Sequence, residues 1–302
     1  MAYIGQLDCY ERGSEIAEVL LNVKTNDTSI YRITDKIGEQ CEQFTESEDF
    51  RNPIELTSDE YLIVQSDGSM LLTREGGWKE VKLGRVFKSS AILSETETRN
   101  WIKESEYIGH LGSHIEFEEK MSKLIDEPYI KYGGDRLVFI NDGAIWQWNW
   151  ISAEYPQSIQ ILDYYHAMEN IGKYVSVMVT KKELGMMMEK IDKTLKEKGI
   201  PYVLSILESI PPKTAIQKQK HETLMKYIDN NKERMDYPRY IKQGLLIGSG
   251  AIESAHRTVL QRRMKQSGQR WTKKGLKNII NLRVVNMSGY WDKIRELIKC
   301  AA

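Results

Sequence analysis

Cysteine is scarce in this chain: three residues in 302, at positions 9, 41 and 300, with no Cys-x-x-Cys pair. An odd number of widely spaced thiols excludes a disulfide framework and a cysteine-rich zinc site, and reads as a protein of a reducing cytoplasm. Long apolar runs are missing as well. No stretch of about 18 apolar residues occurs, so no transmembrane helix is expected. The opening residues carry Asp8, Glu11 and Glu15 where a signal peptide needs a basic and then an apolar stretch. Net charge is also absent, because 43 Lys+Arg balance 43 Asp+Glu. Taken whole, that balance argues against a nucleic-acid partner. What is present is a globular composition, 41% hydrophobic and 28% charged, which excludes wholesale disorder. The length admits one large domain or two to three ordinary ones.

The charge balance does not hold locally. Residues 1–65 contain 14 acids and 5 bases. Residues 256–291 contain nine bases and no acid: Arg257, Arg262, Arg263, Lys265, Arg270, Lys273, Lys274, Lys277 and Arg283. Such a run suits a phosphate backbone, although a solvated helix face is the commoner use of clustered charge.

Periodicity orders the rest. Residues 14–44 read as two helices, with Ser14 capping the first and Asn26 or Asp27 the second, which ends near Gly38 or a few residues later. The pair permits a helix-turn-helix or a plain helical hairpin. A linker is expected over 46–53. Apolar runs at 61–64, 70–73 and 80–87, separated by turn residues, predict a three-stranded antiparallel meander. Residues 95–127 read as helical. Strands are expected at 136–140 and 158–162, each followed by a helix. From 177 to 243 the pattern is helical only, with Leu184, Met187, Met188, Ile191 and Leu195 on one stripe. A last helical block follows Gly244–Gly250. Meander followed by α/β alternation predicts a mixed sheet with helices on its faces. The expected division is 1–55, 56–176, 177–243 and 244–302.

Two apolar strands are expected to end in Asp-Gly, at Asp67-Gly68 and Asp142-Gly143. Were these strands adjacent and parallel, the two carboxylates would stand side by side. Their repulsion would then call for a hard divalent cation between them. An isolated Asp-Gly is ordinarily just a turn. Glu253, in Gly248-Ser-Gly-Ala-Ile-Glu253, opens the last helical block and is a third candidate ligand. Its position is also explained by the helix dipole or by pairing with Arg257. His110 and His114 have helical spacing but lack the glutamate of a zinc-protease motif, and no nucleophile elbow is present.

Three segments taken together resemble a known family. They are Val64-Gln-Ser-Asp67-Gly68 with Trp78–Phe87; Phe139-Ile-Asn-Asp142-Gly143 through to Asp163-Tyr-Tyr-His166; and Ile247-Gly-Ser-Gly-Ala-Ile-Glu253-Ser followed by Gln261–Trp271. In this order they resemble bacterial insertion-sequence DDE transposases of the ISKra and ISLre types, distantly Mutator-like, over nearly the whole chain. The resemblance implies an RNase H-like α/β fold: a mixed sheet with flanking helices, an N-terminal helical pair and an all-α insertion before the last catalytic helix. It implies metal-dependent cleavage and strand transfer of double-stranded DNA at the element's ends. Asp67, Asp142 and Glu253 would hold Mg2+ or Mn2+, two ions in all. His166 would act beside them, supported by Asp163. Arg257, Arg262, Arg263, Lys265, Arg270, Trp271, Lys273, Lys274 and Lys277 would contact DNA, with Trp271 stacking on a base. A homodimer and a nucleoid-associated location in the bacterial cytoplasm are further expectations. The sequence departs from the family pattern in one respect: relatives generally carry a further N-terminal region, whereas this one starts close to the helical pair. Two alternatives remain: a non-catalytic DNA-binding protein derived from a transposase, and an RNase H-like nuclease that cuts without joining.

Overall fold

The computed structural model describes residues 1–47, 50–96 and 99–300. The chain divides into two units, Met1–Leu137 with Gly250–Ala302, and Val138–Ser249. Residues 48–49 of the expected linker lie outside the described residues.

The first unit opens with three helices, α1 (Ala2–Leu7), α2 (Tyr10–Leu21) and α3 (Asp27–Thr45). Ser14 lies inside α2, its hydroxyl donating to the Glu11 carbonyl, so it is not a cap. Asn26 does cap α3, accepting from the Ser29 N–H at 2.8 Å. Gly38 does not end that helix. It lets α3 lie tightly on the later helix at Asn278, whose carbonyl a Cβ at position 38 would strike.

The meander is built differently from expectation. β1 (Leu62–Thr73) is one unbroken strand that absorbs two of the predicted ones, and it pairs antiparallel with β2 (Gly77–Lys88) along its whole length. Asp67 stands opposite Leu83 and Gly68 opposite Lys82, so this Asp-Gly is mid-strand and closes no turn. Glycine fits there because a Cβ would meet the Glu80 carboxylate. The stretch read as helix from 95 contains strands instead: β3 (Ile92–Thr96) pairs with β4 (Arg99–Ile102), and β5 (Glu106–Leu111) pairs antiparallel with β2. Here tertiary pairing overrides an apolar spacing too short to specify a helix. α4 (His114–Tyr132) starts only after Ser113, which caps it.

The second unit carries β6 (Leu137–Asn141), α5 (Ile145–Glu154), β7 (Ile159–Leu162) and α6 (Tyr164–Met178) in the expected order, with β6 and β7 parallel. Phe139, Trp150 and Tyr155 pack edge-on as its aromatic centre. The all-helical stretch follows as α7 (Lys181–Glu197), α8 (Ile200–Glu208), α9 (Ala215–Asn231) and α10 (Tyr237–Lys242). Ile191 and Leu195 of the predicted stripe are buried, whereas Met186 is 74% exposed.

The first unit resumes with α11 (Gly250–Ala255), which continues without a break through a π-helical turn, His256–Gln261, into α12 (Arg262–Met264). α13 (Lys273–Met287) and α14 (Trp291–Cys300) follow. The core of this unit joins Leu71, Val81 and Leu83 of the sheet to Ile252, Val259, Leu276 and Ile280 of these helices. Antiparallel strands followed by parallel α/β alternation, with helices against them, place the fold in the mixed α/β class expected of an RNase H-like protein. Among the described residues no helix is long and apolar enough to cross a membrane.

Candidate functional site

The first unit brings two of the predicted carboxylates onto elements that touch. Strand side chains alternate, so Gln65 and Asp67 share one face of β1. Helix positions four apart share a side, so Ile252 and His256 do too. The two pairs meet. Gln65 Oε1 accepts from the Ile252 N–H at 3.0 Å, and Asp67 Oδ2 lies 3.5 Å from His256 Nε2. Arg85 of β2 donates to the Ala251 carbonyl at 2.7 Å, pinning the start of the helix to the sheet. Glu253 sits on this anchored turn and is exposed, while Asp67 is half-buried. Oδ1 of Asp67 accepts from the Gly68 N–H at 2.7 Å.

His256 is the residue that sequence reasoning missed. It is 3% exposed, and among the described residues neither ring nitrogen has a partner at normal hydrogen-bond geometry. Burial pushes its pKa down to about 4; the polar main chain of Asp67 pulls the other way, and Lys265 adds to the lowering. The available signal was the Glu253-x-x-His256 spacing, one helical turn.

Asp142 belongs to the second unit. There it does follow a strand, with Gly143 in the left-handed region at φ 102°. Its Oδ1 accepts from the Ala144 N–H at 3.2 Å. Half-buried Tyr227, on α9 of the helical stretch, lies in its field. Burial first, then the charges of Asp163, Asp142 and Glu169, raise the phenol's pKa, against a hydrogen bond with Asn170. No local pattern in the sequence could have connected Tyr227 to Asp142. Asp163 is fully buried and caps α6: its carboxylate accepts from the His166 N–H at 2.7 Å and from the Ser249 N–H. It thereby ties the glycine-containing turn to α6, and Gly248 is needed there because a Cβ would come within 2.7 Å of the Tyr165 ring. The His166 ring is not held by Asp163. It is 39% exposed and stands 3.8 Å from Glu169.

The predicted DNA contacts fall into three groups. Arg257, Arg262, Lys265, Arg270 and Lys273 are exposed. Lys274 and Lys277 pair with Glu39 and Glu42 of α3, at 2.9 and 2.6 Å. Arg263 and Trp271 are corrected from the expectation, because both are buried. Arg263 donates to the Gly5 carbonyl and lies between the Tyr10 and Trp271 rings, 4.7 and 4.9 Å from their centroids. Trp271 Nε1 donates to the Met264 carbonyl at 3.1 Å. Neither side chain presents a surface to a base or a phosphate.

Among the described residues, no three His, Cys, Asp or Glu side chains gather closely enough to hold a metal ion. The donors themselves, Asp67 and Glu253, are oxygen ligands of the kind a hard divalent cation takes.

A family model matches residues 10–299. The chain belongs to UPF0236, an uncharacterised protein family. No curated protein matches it. Membership of UPF0236 therefore spans both units but assigns no chemistry to either.

Proposed function

We propose that this UPF0236 protein is a metal-dependent DNA transposase of the DDE type, cleaving phosphodiester bonds at the ends of an insertion sequence and joining them to target DNA. The observation that carries the reading is the meeting of Gln65 and Asp67 with Ile252 and His256, which holds the Glu253 helix against the Asp67 strand, with exposed cations following in the chain from Arg257 onward. Asp67 and Glu253 would hold Mg2+ or Mn2+; Asp142 joins them on the strength of the resemblance alone. Bound divalent ions supply Lewis acidity toward the attacking hydroxyl and the leaving oxygen. Arg257, Arg262, Lys265, Arg270 and Lys273 would grip phosphates, which positions DNA without reading its sequence. His166, on α6, is assigned phosphate positioning. A homodimer on double-stranded DNA at the bacterial nucleoid belongs to the same proposal.

A non-catalytic DNA-binding protein is the second reading, favoured by the absence of a three-carboxylate cluster among the described residues. One experiment separates the two. Terminal-repeat DNA is incubated with Mg2+ or Mn2+ and the wild type, Asp67→Asn, Asp142→Asn or Glu253→Gln. The transposase reading expects cleavage and 3′-end joining by the wild type alone, with DNA binding kept in all three variants. Binding without cleavage by the wild type selects the second reading. Cleavage that survives in one variant removes that acid from the set.

A further inference from the structure

A buried imidazole without a hydrogen-bond partner is uncommon, because burial removes the water that would otherwise satisfy it. His256 is such a group, and its Nε2 points at a carboxylate. The separation from Asp67 Oδ2, 3.5 Å, is too long for a hydrogen bond, which runs at about 2.7–3.2 Å. It matches the distance between two ligands of one ion instead. Atoms each about 2.1 Å from a shared metal stand about 3.0 Å apart at a right angle and about 3.4 Å apart at the tetrahedral angle. The π-helical turn that begins at His256 is a second departure from regularity at the same place, and π-turns are frequent at functional sites.

We propose that Asp67 Oδ2 and His256 Nε2 form a mixed oxygen–nitrogen seat for a divalent transition-metal ion, one that takes Mn2+ more tightly than Mg2+. The seat deepens the transposase reading and rests on it for its purpose, though not for its test. Imidazole nitrogen is a poor ligand for Mg2+, which prefers carboxylate, carbonyl and water, and a good one for first-row transition ions. A neutral imidazole offers one lone pair, and Nε2 of His256 makes no hydrogen bond of normal geometry among the described residues. Among the described residues no third His, Cys, Asp or Glu completes a cluster with this pair. Water fills the remaining positions in the free protein, and phosphate oxygens replace water when DNA is bound. Glu253 lies three residues before His256, on the same helical turn, and is exposed.

The test uses the full chain and Mn2+ alone, without DNA. Pulsed electron paramagnetic resonance of the loaded wild type should show the nitrogen coupling of a bound imidazole, and His256→Gln should lose it. By calorimetry, His256→Gln should lower Mn2+ affinity about tenfold or more while Mg2+ affinity changes less than about twofold. A wild-type spectrum without nitrogen coupling overturns the seat even if the variant fails to fold. So does a coupling that persists in folded His256→Gln, or an unchanged preference for Mn2+ over Mg2+. Nitrogen coupling with no terminal-repeat cleavage keeps the seat and removes the transposase reading. Cleavage with no nitrogen coupling does the reverse.

Discussion

Replacing Arg283 with methionine should unfold the first unit far more readily than its place in a basic run suggests. The side chain is 4% exposed, and its guanidinium donates to three main-chain carbonyls: Nε to Val259, Nη1 to Gln6 and Nη2 to Thr258. Two of those carbonyls lie in the π-helical turn after Glu253, and the third lies in α1. One cation therefore satisfies oxygens on two elements far apart in sequence. Methionine keeps much of the volume and none of the donors. Each buried acceptor left unmet costs about 1–3 kcal/mol. The lower end applies, because methionine also removes a desolvation penalty that pulls the arginine's pKa down to about 10, with Arg263 and Arg262 contributing. Three carbonyls at that end give a loss of about 3 kcal/mol, a large share of an ordinary stability of about 5–15 kcal/mol. Arg283→Lys should lose less, since one ammonium can still meet part of the set. Urea denaturation followed by far-ultraviolet circular dichroism measures the change, and hydrogen exchange should show lost protection at amides 256–261. An Arg283→Met protein within about 0.5 kcal/mol of wild type would refute the view of this arginine as an internal strut.

The pairing of Lys274 with Glu39 and Lys277 with Glu42 leads to a second expectation: Glu39→Gln with Glu42→Gln should leave the urea midpoint nearly unchanged, because solvent screens such surface pairs. The same double variant should bind DNA more tightly and with a steeper salt dependence, by up to about 0.9 in log–log slope per freed lysine; an unchanged slope would show that these lysines do not face DNA. His110 concerns pH. It is buried, and burial, then Lys120, lower its pKa against the opposing pull of Glu116 2.8 Å away. A histidine whose folded pKa lies below its unfolded value contributes stability that is present above the ordinary histidine range and is lost as pH falls through it toward the folded pKa. Urea midpoints of the wild type should therefore drop between about pH 7.5 and 5.5, and His110→Gln should drop less; equal losses would count against His110 as a source of the slope.

Parts of this protein could be read from its residues alone. The α/β class, the strands β6 and β7, the cap at Asn26 and the helical stretch after α6 all rest on local pattern: apolar runs, alternation and turn residues act within a few positions. The identity of the candidate acids was legible in the same way, as short motifs. Their setting was not. Asp67-Gly68 reads as a strand end, yet it is mid-strand because β2 offers an unbroken partner from Gly77 to Lys88. The meaning of the charges was equally hidden. Nine bases between 256 and 291 look alike in sequence, but burial makes struts of Arg263 and Arg283, and α3 neutralises Lys274 and Lys277. His256 becomes a candidate ligand only when a strand some 190 residues earlier delivers Asp67 to its ring. Residue chemistry and local propensity settle most of the helices, the strands β6 and β7 and the side chains chemically able to act, since these travel with the chain. Which of those side chains face solvent, a carbonyl or one another was decided by tertiary packing, because burial and partnership depend on segments that no local pattern connects.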